Sequence, residues 1–154
     1  MAIRIYRIVQ NVIVIAAAVI LMALAGMISF LDINPCVVVS GSMEPEIPTG
    51  SLCFIDCQQK DPDIGDIICY KTEDLSITHR VVGVTDSGYI TKGDSNDSAD
   101  PGIVKQSQIF GTYLFDIPKL GYAVMFLKSV EGIVAVLIGV LCFAILGYVL
   151  SRKQ

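Results

Sequence analysis

Three stretches of this 154-residue chain carry side chains that together could perform acyl transfer. The first is Ser40-Gly41-Ser42-Met43-Glu44-Pro45, where a hydroxyl stands between small residues just past a long apolar run. The second is His79, the only histidine, inside the strand-like run Ile77-Thr78-His79-Arg80-Val81-Val82. The third is the acidic stretch Gly93-Asp94-Ser95-Asn96-Asp97-Ser98-Ala99-Asp100. A serine hydroxyl is a weak nucleophile until a base takes its proton. Gly41 beside Ser42 lets the backbone turn tightly and a substrate carbonyl approach. An imidazole, with an ordinary pKa near 6.5, suits that proton transfer at neutral pH. A carboxylate on the other ring nitrogen fixes the tautomer and stabilises the imidazolium. The acidic stretch offers Asp94, Asp97 and Asp100 for that place. Each feature alone is bland: serines beside glycine are mostly turn residues, and a lone histidine is often structural. The D-x-N-D spacing resembles part of a calcium loop, but flanking helices and the distal Glu are missing.

The elements that must position these groups read as strands. Short β-rich runs at 36–39, 51–56, 67–71, 77–84, 89–92 and 109–115 alternate with turn signals at Pro45, Pro48, Gly50, Asp61-Pro62-Asp63, Gly65-Asp66 and Asp86-Ser87-Gly88. Residues 93–102 form a polar loop. The expected fold class is mainly β: a compact β-rich catalytic domain of about 100 residues, open or barrel-like, between two transmembrane helices. Residues 122–127 are apolar and aromatic; they fit either the lipid interface or ordinary core.

Hydrophobic residues make up 53% of the chain, and the excess sits at the two ends. Residues 12–31 and 133–150 carry no charged side chain, and about 17–25 apolar residues suffice for a membrane helix. Gly139 and Gly147 are tolerated in such a helix. All 15 Asp and Glu fall in residues 32–131 with seven of the 11 Lys and Arg, a net of −8 against +4 at the ends. Arg4 and Arg7 precede the first run, and Arg152 and Lys153 follow the second. Basic flanks stay in the cytoplasm. The expected localisation is therefore a multi-pass plasma-membrane protein, both termini cytoplasmic and the active site outside. A cleaved signal peptide competes for the first run, since Ala23-Leu24-Ala25 offers an A-x-A site. The uncharged run outlasts the about 7–15 residues of a typical h-region, which favours a retained anchor. Three segments follow: 1–31, cytoplasmic tail and anchor; 32–131, extracytoplasmic peptidase domain; 132–154, second span and tail. An outer domain this acidic excludes nucleic acid as a partner.

With those residues in place, the chain resembles the type I signal peptidases. Ser40-Gly41-Ser42-Met43-Glu44-Pro45 with Pro48-Thr49-Gly50-Ser51 is similar to their serine box, and Gly65-Asp66-Ile67-Ile68 to the next. His79-Arg80-Val81-Val82-Gly83 resembles the base box of the Ser-His branch, found in the endoplasmic reticulum, archaea and some spore formers. Lys92-Gly93-Asp94-Ser95-Asn96 with Asp100 resembles the last box, although Ser95 stands where many members have Asn. Residues 117–122 and the span after them also look like bacterial members of that branch. The resemblance implies Ser42 as nucleophile, His79 as general base, Asp100 as the orienting aspartate and Asp94 in a supporting role. It implies an oxyanion hole from Ser40 and the Ser42 N–H, and Met43 in the substrate groove. The implied activity is a membrane-anchored serine endopeptidase, without cofactor or metal, cleaving signal peptides of exported preproteins after small residues. Its implied partners are those signal peptides and the lipid bilayer, with accessory subunits left open.

Cys36, Cys53, Cys57, Cys69 and Cys142 are odd in number, one of them within the second apolar run, and do not read as a disulfide framework. One disulfide among the outer four and free, partly buried thiols are both compatible with the spacing. Two rival functions also remain: a Ser-Lys protease using Lys71, and a non-catalytic membrane-anchored binding module or assembly subunit.

Overall fold

The computed structural model describes residues 2–72 and 75–152; Lys153, counted above in the basic flank, lies outside them. In chain order the elements are α1 (Ala2–Phe30), β1 (Ile33–Val37), β2 (Leu52–Asp56), β3 (Ile67–Lys71), β4 (Ser76–Thr85), β5 (Gly88–Lys92), a short 3-10 turn (Gln106–Gln108), β6 (Ile109–Ile117), α2 (Leu120–Lys128) and α3 (Val130–Arg152). The six strands form one sheet in the order β1-β2-β6-β3-β4-β5, and every pairing is antiparallel.

β3 shows why this sheet holds. Its residues Ile67, Ile68, Cys69 and Tyr70 are all buried, so both of its faces are covered. Alternation sends Ile67 and Cys69 to one face, where they meet Met43, Ile47, Cys53 and Ile55. Ile68 and Tyr70 go to the other, against Val81, Tyr89, Val104 and Ile109. Burying each such aliphatic side chain contributes about 1.5–3 kcal/mol. The domain thus has two small cores separated by the sheet, and the loop carrying Ser42 is anchored in the first by Met43 and Ile47.

The β-rich expectation holds, with β3 at its expected bounds and β2, β4, β5 and β6 within two residues of theirs at each end. The first strand is displaced. It was expected over 36–39 but runs over Ile33–Val37, because Ile33↔Asp56 through Val37↔Leu52 is the register that β2 accepts. As an edge strand it tolerates Pro35. Val38 still exchanges backbone bonds with Ser51 and Gly50, and residues 39–40 lead on into the serine loop.

Residues 122–127 are not core. They form the exposed part of α2, in which only Gly121 is buried, while Tyr122, Met125, Phe126 and Leu127 are about half exposed. The Tyr122 ring occupies the space that a side chain on Gly50 would need, and Gly50 has φ +83°, a conformation that glycine adopts freely. This contact ties α2 to the serine loop.

α1 and α3 contain apolar windows, Asn11–Phe30 and Val130–Gly147, with mean hydropathy 2.8 and 2.5. Both are long and apolar enough to cross a bilayer, and almost none of either window is buried against protein.

Candidate active site

Ser42, His79 and Asp100 come from three separate stretches and meet at one edge of the sheet. His79 lies on β4, on the face of the second core, and is 7% exposed. Its Nε2 lies 3.0 Å from Ser42 Oγ, and its Nδ1 lies 2.6 Å from Asp100 Oδ2. With Nδ1 protonated, the ring donates to Asp100 and Nε2 accepts from the serine hydroxyl. That arrangement prepares a serine for attack.

Asp100 is held by more than the imidazole. The same Oδ2 accepts from Thr91 Oγ1 at 2.7 Å and from the Tyr70 hydroxyl at 3.1 Å. Burial pushes this carboxyl up, but the bonds from His79, Thr91 and Tyr70 outweigh it and hold Asp100 below the usual carboxylate range. Burial in turn pushes the Tyr70 phenol up to about 12, so it remains a donor. Sequence reasoning missed Tyr70 and Thr91. They are ordinary strand residues, 30 and nine positions from Asp100, and only the pairing of β3, β4 and β5 brings them there.

Asp94 stands apart from the imidazole. Its two oxygens accept from Arg80 Nε at 2.8 Å and Nη2 at 2.6 Å, and Arg80 Nη1 donates to the Gly65 carbonyl at 2.8 Å. This paired geometry is the stronger kind of ion pair, and it pushes the guanidinium pKa up. The residue after Asp94 then clamps the serine loop: Ser95 N–H donates to the Ser42 carbonyl at 3.0 Å, and Ser95 Oγ to the Gly41 carbonyl at 2.7 Å. Asp94 thus sits beside a residue that holds the serine-loop backbone, and its own oxygens bond Arg80 and not His79. Asp97, the third carboxylate of the stretch, is exposed.

Ser40 Oγ lies 3.4 Å from Ser42 Oγ, on the exposed side of the nucleophile. Met43, beside it, is buried and lines an open cleft of about 420 Å³. The other walls are Cys36 and the segment 37–39 on one side and Leu75, Ser76, Ile77 and Thr78 on the other, with Ser42 and His79 also lining it. The register of β5 on β4 begins at Arg80↔Lys92, so residues 76–79 of β4 extend beyond their β5 partner. An extended peptide can add there as a strand. Lys71, the alternative base, lies on β3 with its ammonium 5.0 Å from the centre of the Phe110 ring, and it is not among the residues lining the cleft. All five cysteines are free thiols.

Comparison with known proteins finds the following similarities. Residues 10–87 match the family model described as signal peptidase, peptidase S26. The chain is 32% identical over 120 residues to a protein of Pyrenophora tritici-repentis named signal peptidase complex catalytic subunit sec11, covering 68% of this chain and 69% of that one. The protein of the same name from Leptosphaeria maculans is 34% identical over the same coverage. The human signal peptidase complex catalytic subunit SEC11C is 42% identical over 80 residues, covering 47% of this chain and 42% of its own length.

Proposed function

The chain belongs to the signal peptidase family, peptidase S26, in its endoplasmic-reticulum-like branch, as a serine protease of the signal peptidase I type; from that premise we propose that it is a membrane-anchored endopeptidase that cuts signal peptides from exported preproteins after small residues. The observation that carries the reading is the run of two bonds, Ser42 Oγ to His79 Nε2 at 3.0 Å and His79 Nδ1 to Asp100 Oδ2 at 2.6 Å.

In this mechanism His79 takes the Ser42 proton as Oγ attacks the scissile carbonyl. The developing oxyanion is met by the Ser42 N–H and the Ser40 hydroxyl, each such donor being worth about 10²–10³ in rate. His79 then returns the proton to the departing amine. Asp100 stabilises the imidazolium between those two steps. Water hydrolyses the acyl-enzyme by the same proton path. The segment before the cut lies extended between residues 37–40 and 76–79, with its small side chains facing the wall that Met43 lines.

The two apolar helices and the charge pattern support a multi-pass membrane protein with both termini cytoplasmic and the site at the outer face. The segments 1–31, 32–131 and 132–154 then serve as anchor, peptidase domain and second anchor. Tethering enzyme and preprotein to one bilayer raises their effective concentration. The half-exposed apolar side chains of α2, directly before α3, fit the lipid headgroup region. The relatives' names speak of a complex, and accessory subunits are proposed here on that ground alone. Separate replacement of His79 and Lys71 tests the mechanism. His79→Ala should abolish preprotein cleavage and Lys71→Ala should leave it; full activity in His79→Ala would overturn the imidazole mechanism.

A further inference from the structure

We propose that Cys36 is a thiol-modification site in the wall of the substrate cleft, taking low-molecular-weight disulfides, and that Cys53 is the resolving thiol that clears the adduct. The proposal rests on the reading of this cleft as the substrate site.

Cys36 is half-buried and lines the same cleft as Ser42 and Met43. Cys53 stands directly opposite it in the β1–β2 register and is fully buried in the core beneath. Directly opposed residues of an antiparallel pair have Cα atoms about 4.5–5.5 Å apart, inside the Cα range of about 4.4–6.8 Å that disulfides span, so these two thiols can bond with a small approach of their Cβ atoms. The outer cysteines also differ in reactivity, which follows thiolate character and access. Cys53 is hidden. Burial pushes Cys57 up and Cys69 up to about 11. Cys36 is the one among these four pushed down, by its bond with the Cys53 thiol.

The chemistry is thiol–disulfide exchange with a disulfide RSSR, oxidised glutathione for example. The Cys36 thiolate attacks one sulfur; the Cys36–SR bond forms, the RS–SR bond breaks, and RS⁻ leaves. The interaction with Cys36 that chiefly holds the Cys53 proton is then gone. Cys53 passes that proton to the departing thiolate and attacks the Cys36 sulfur. The Cys36–Cys53 bond forms and a second RS⁻ leaves. Two protein thiols are oxidised, and one disulfide is reduced to two thiols. The mixed disulfide places a peptide-sized group in a cleft of about 420 Å³ and excludes the preprotein; the second step empties the cleft.

The test incubates the full chain in detergent with oxidised glutathione, alkylates the remaining thiols, and maps the cysteines by mass. Preprotein cleavage is measured before, after and following reduction, each protein against its own reduced activity. The wild type should show a Cys36–Cys53 link, no lasting adduct, and retained cleavage. Cys53→Ala should carry the adduct on Cys36 and lose cleavage until reduced, and Cys53→Val repeats the test should alanine loosen the core. Cys36→Ser should show neither link nor adduct at Cys53. An unmodified Cys36, or an adduct that persists in the wild type, would overturn the proposal. If the link forms but the reduced wild type cuts no preprotein, the proposed function fails while the thiol chemistry stands.

Discussion

Replacing Asp100 by Asn removes one charge and keeps the shape, so its effect can be worked from the geometry. Oδ2 of Asp100 accepts from His79 Nδ1 at 2.6 Å, Thr91 Oγ1 at 2.7 Å and the Tyr70 hydroxyl at 3.1 Å. An amide nitrogen placed there would face three donors, so the Asn oxygen takes that position and His79 keeps its tautomer. What is lost is the attraction between the carboxylate and the imidazolium that forms as Ser42 attacks. The His79 and Asp100 side chains are 9% and 18% exposed, so solvent screens the pair little. Unit charges roughly 4 Å apart attract by about 4 kcal/mol at an effective dielectric of about 20. At about 1.4 kcal/mol per decade this is about 10³ in rate. Purified Asp100→Asn assayed on a preprotein at saturating substrate should therefore show kcat reduced by about 10³ with KM nearly unchanged, because the interaction strengthens only toward the transition state. A loss below tenfold would refute the assignment of Asp100 as the charge behind the base. A loss nearer 10⁴ would mean an inverted amide and the wrong tautomer.

Other consequences can be checked alongside. Asp100 is held below its ordinary 3.8 in the fold, so it contributes stability above that value and loses it as pH falls through the folded value; Asp100→Asn should flatten the fall of Tm with acid below about pH 4, followed by thermal melts in detergent. Asp94→Asn weakens the Arg80 pair behind the Ser95 clamp and should lower kcat, but by less than Asp100→Asn in the same assay. A Cβ on Gly93 would sit 2.6 Å from the Ser42 carbonyl oxygen, so Gly93→Ala should cost about 1–3 kcal/mol of stability by overpacking and lower kcat together. The chain has no Trp, so Phe126→Trp gives a single fluorophore on α2. Brominated lipids should quench it and leave Val84→Trp, on an exposed strand position, bright.

Much of the site was legible because its chemistry is carried by rare residues. There is one histidine, and only one Ser-Gly-Ser turn follows the first apolar run, so the two side chains that the fold brings within 3.0 Å could be singled out without any knowledge of contacts. The strands from β2 to β6 were legible because β-branched runs end in Gly, Pro and Asp turns. Three things were not. The helix α2 lacks a polar face, so its apolar run carries no helical period to separate it from core. The start of β1 was hidden by Asn34-Pro35, which discourage a strand locally and are accepted only at a sheet edge. The supports of the site, Tyr70 and Thr91 on Asp100 and Arg80 on Asp94, depend on pairings across the sheet, which no local pattern records. Choosing Asp100 over Asp94 needed the family's spacing, and the geometry gives the physical difference between them: one faces an imidazole, the other a guanidinium.

The most direct measurement is incubation of a labelled preprotein with the wild type and with Ser42→Ala, in detergent or vesicles, followed by the mass of the product's new N-terminus. The wild type should yield one new terminus immediately after a small residue, and Ser42→Ala should yield none. Cleavage at the same bond and rate by Ser42→Ala would contradict the account.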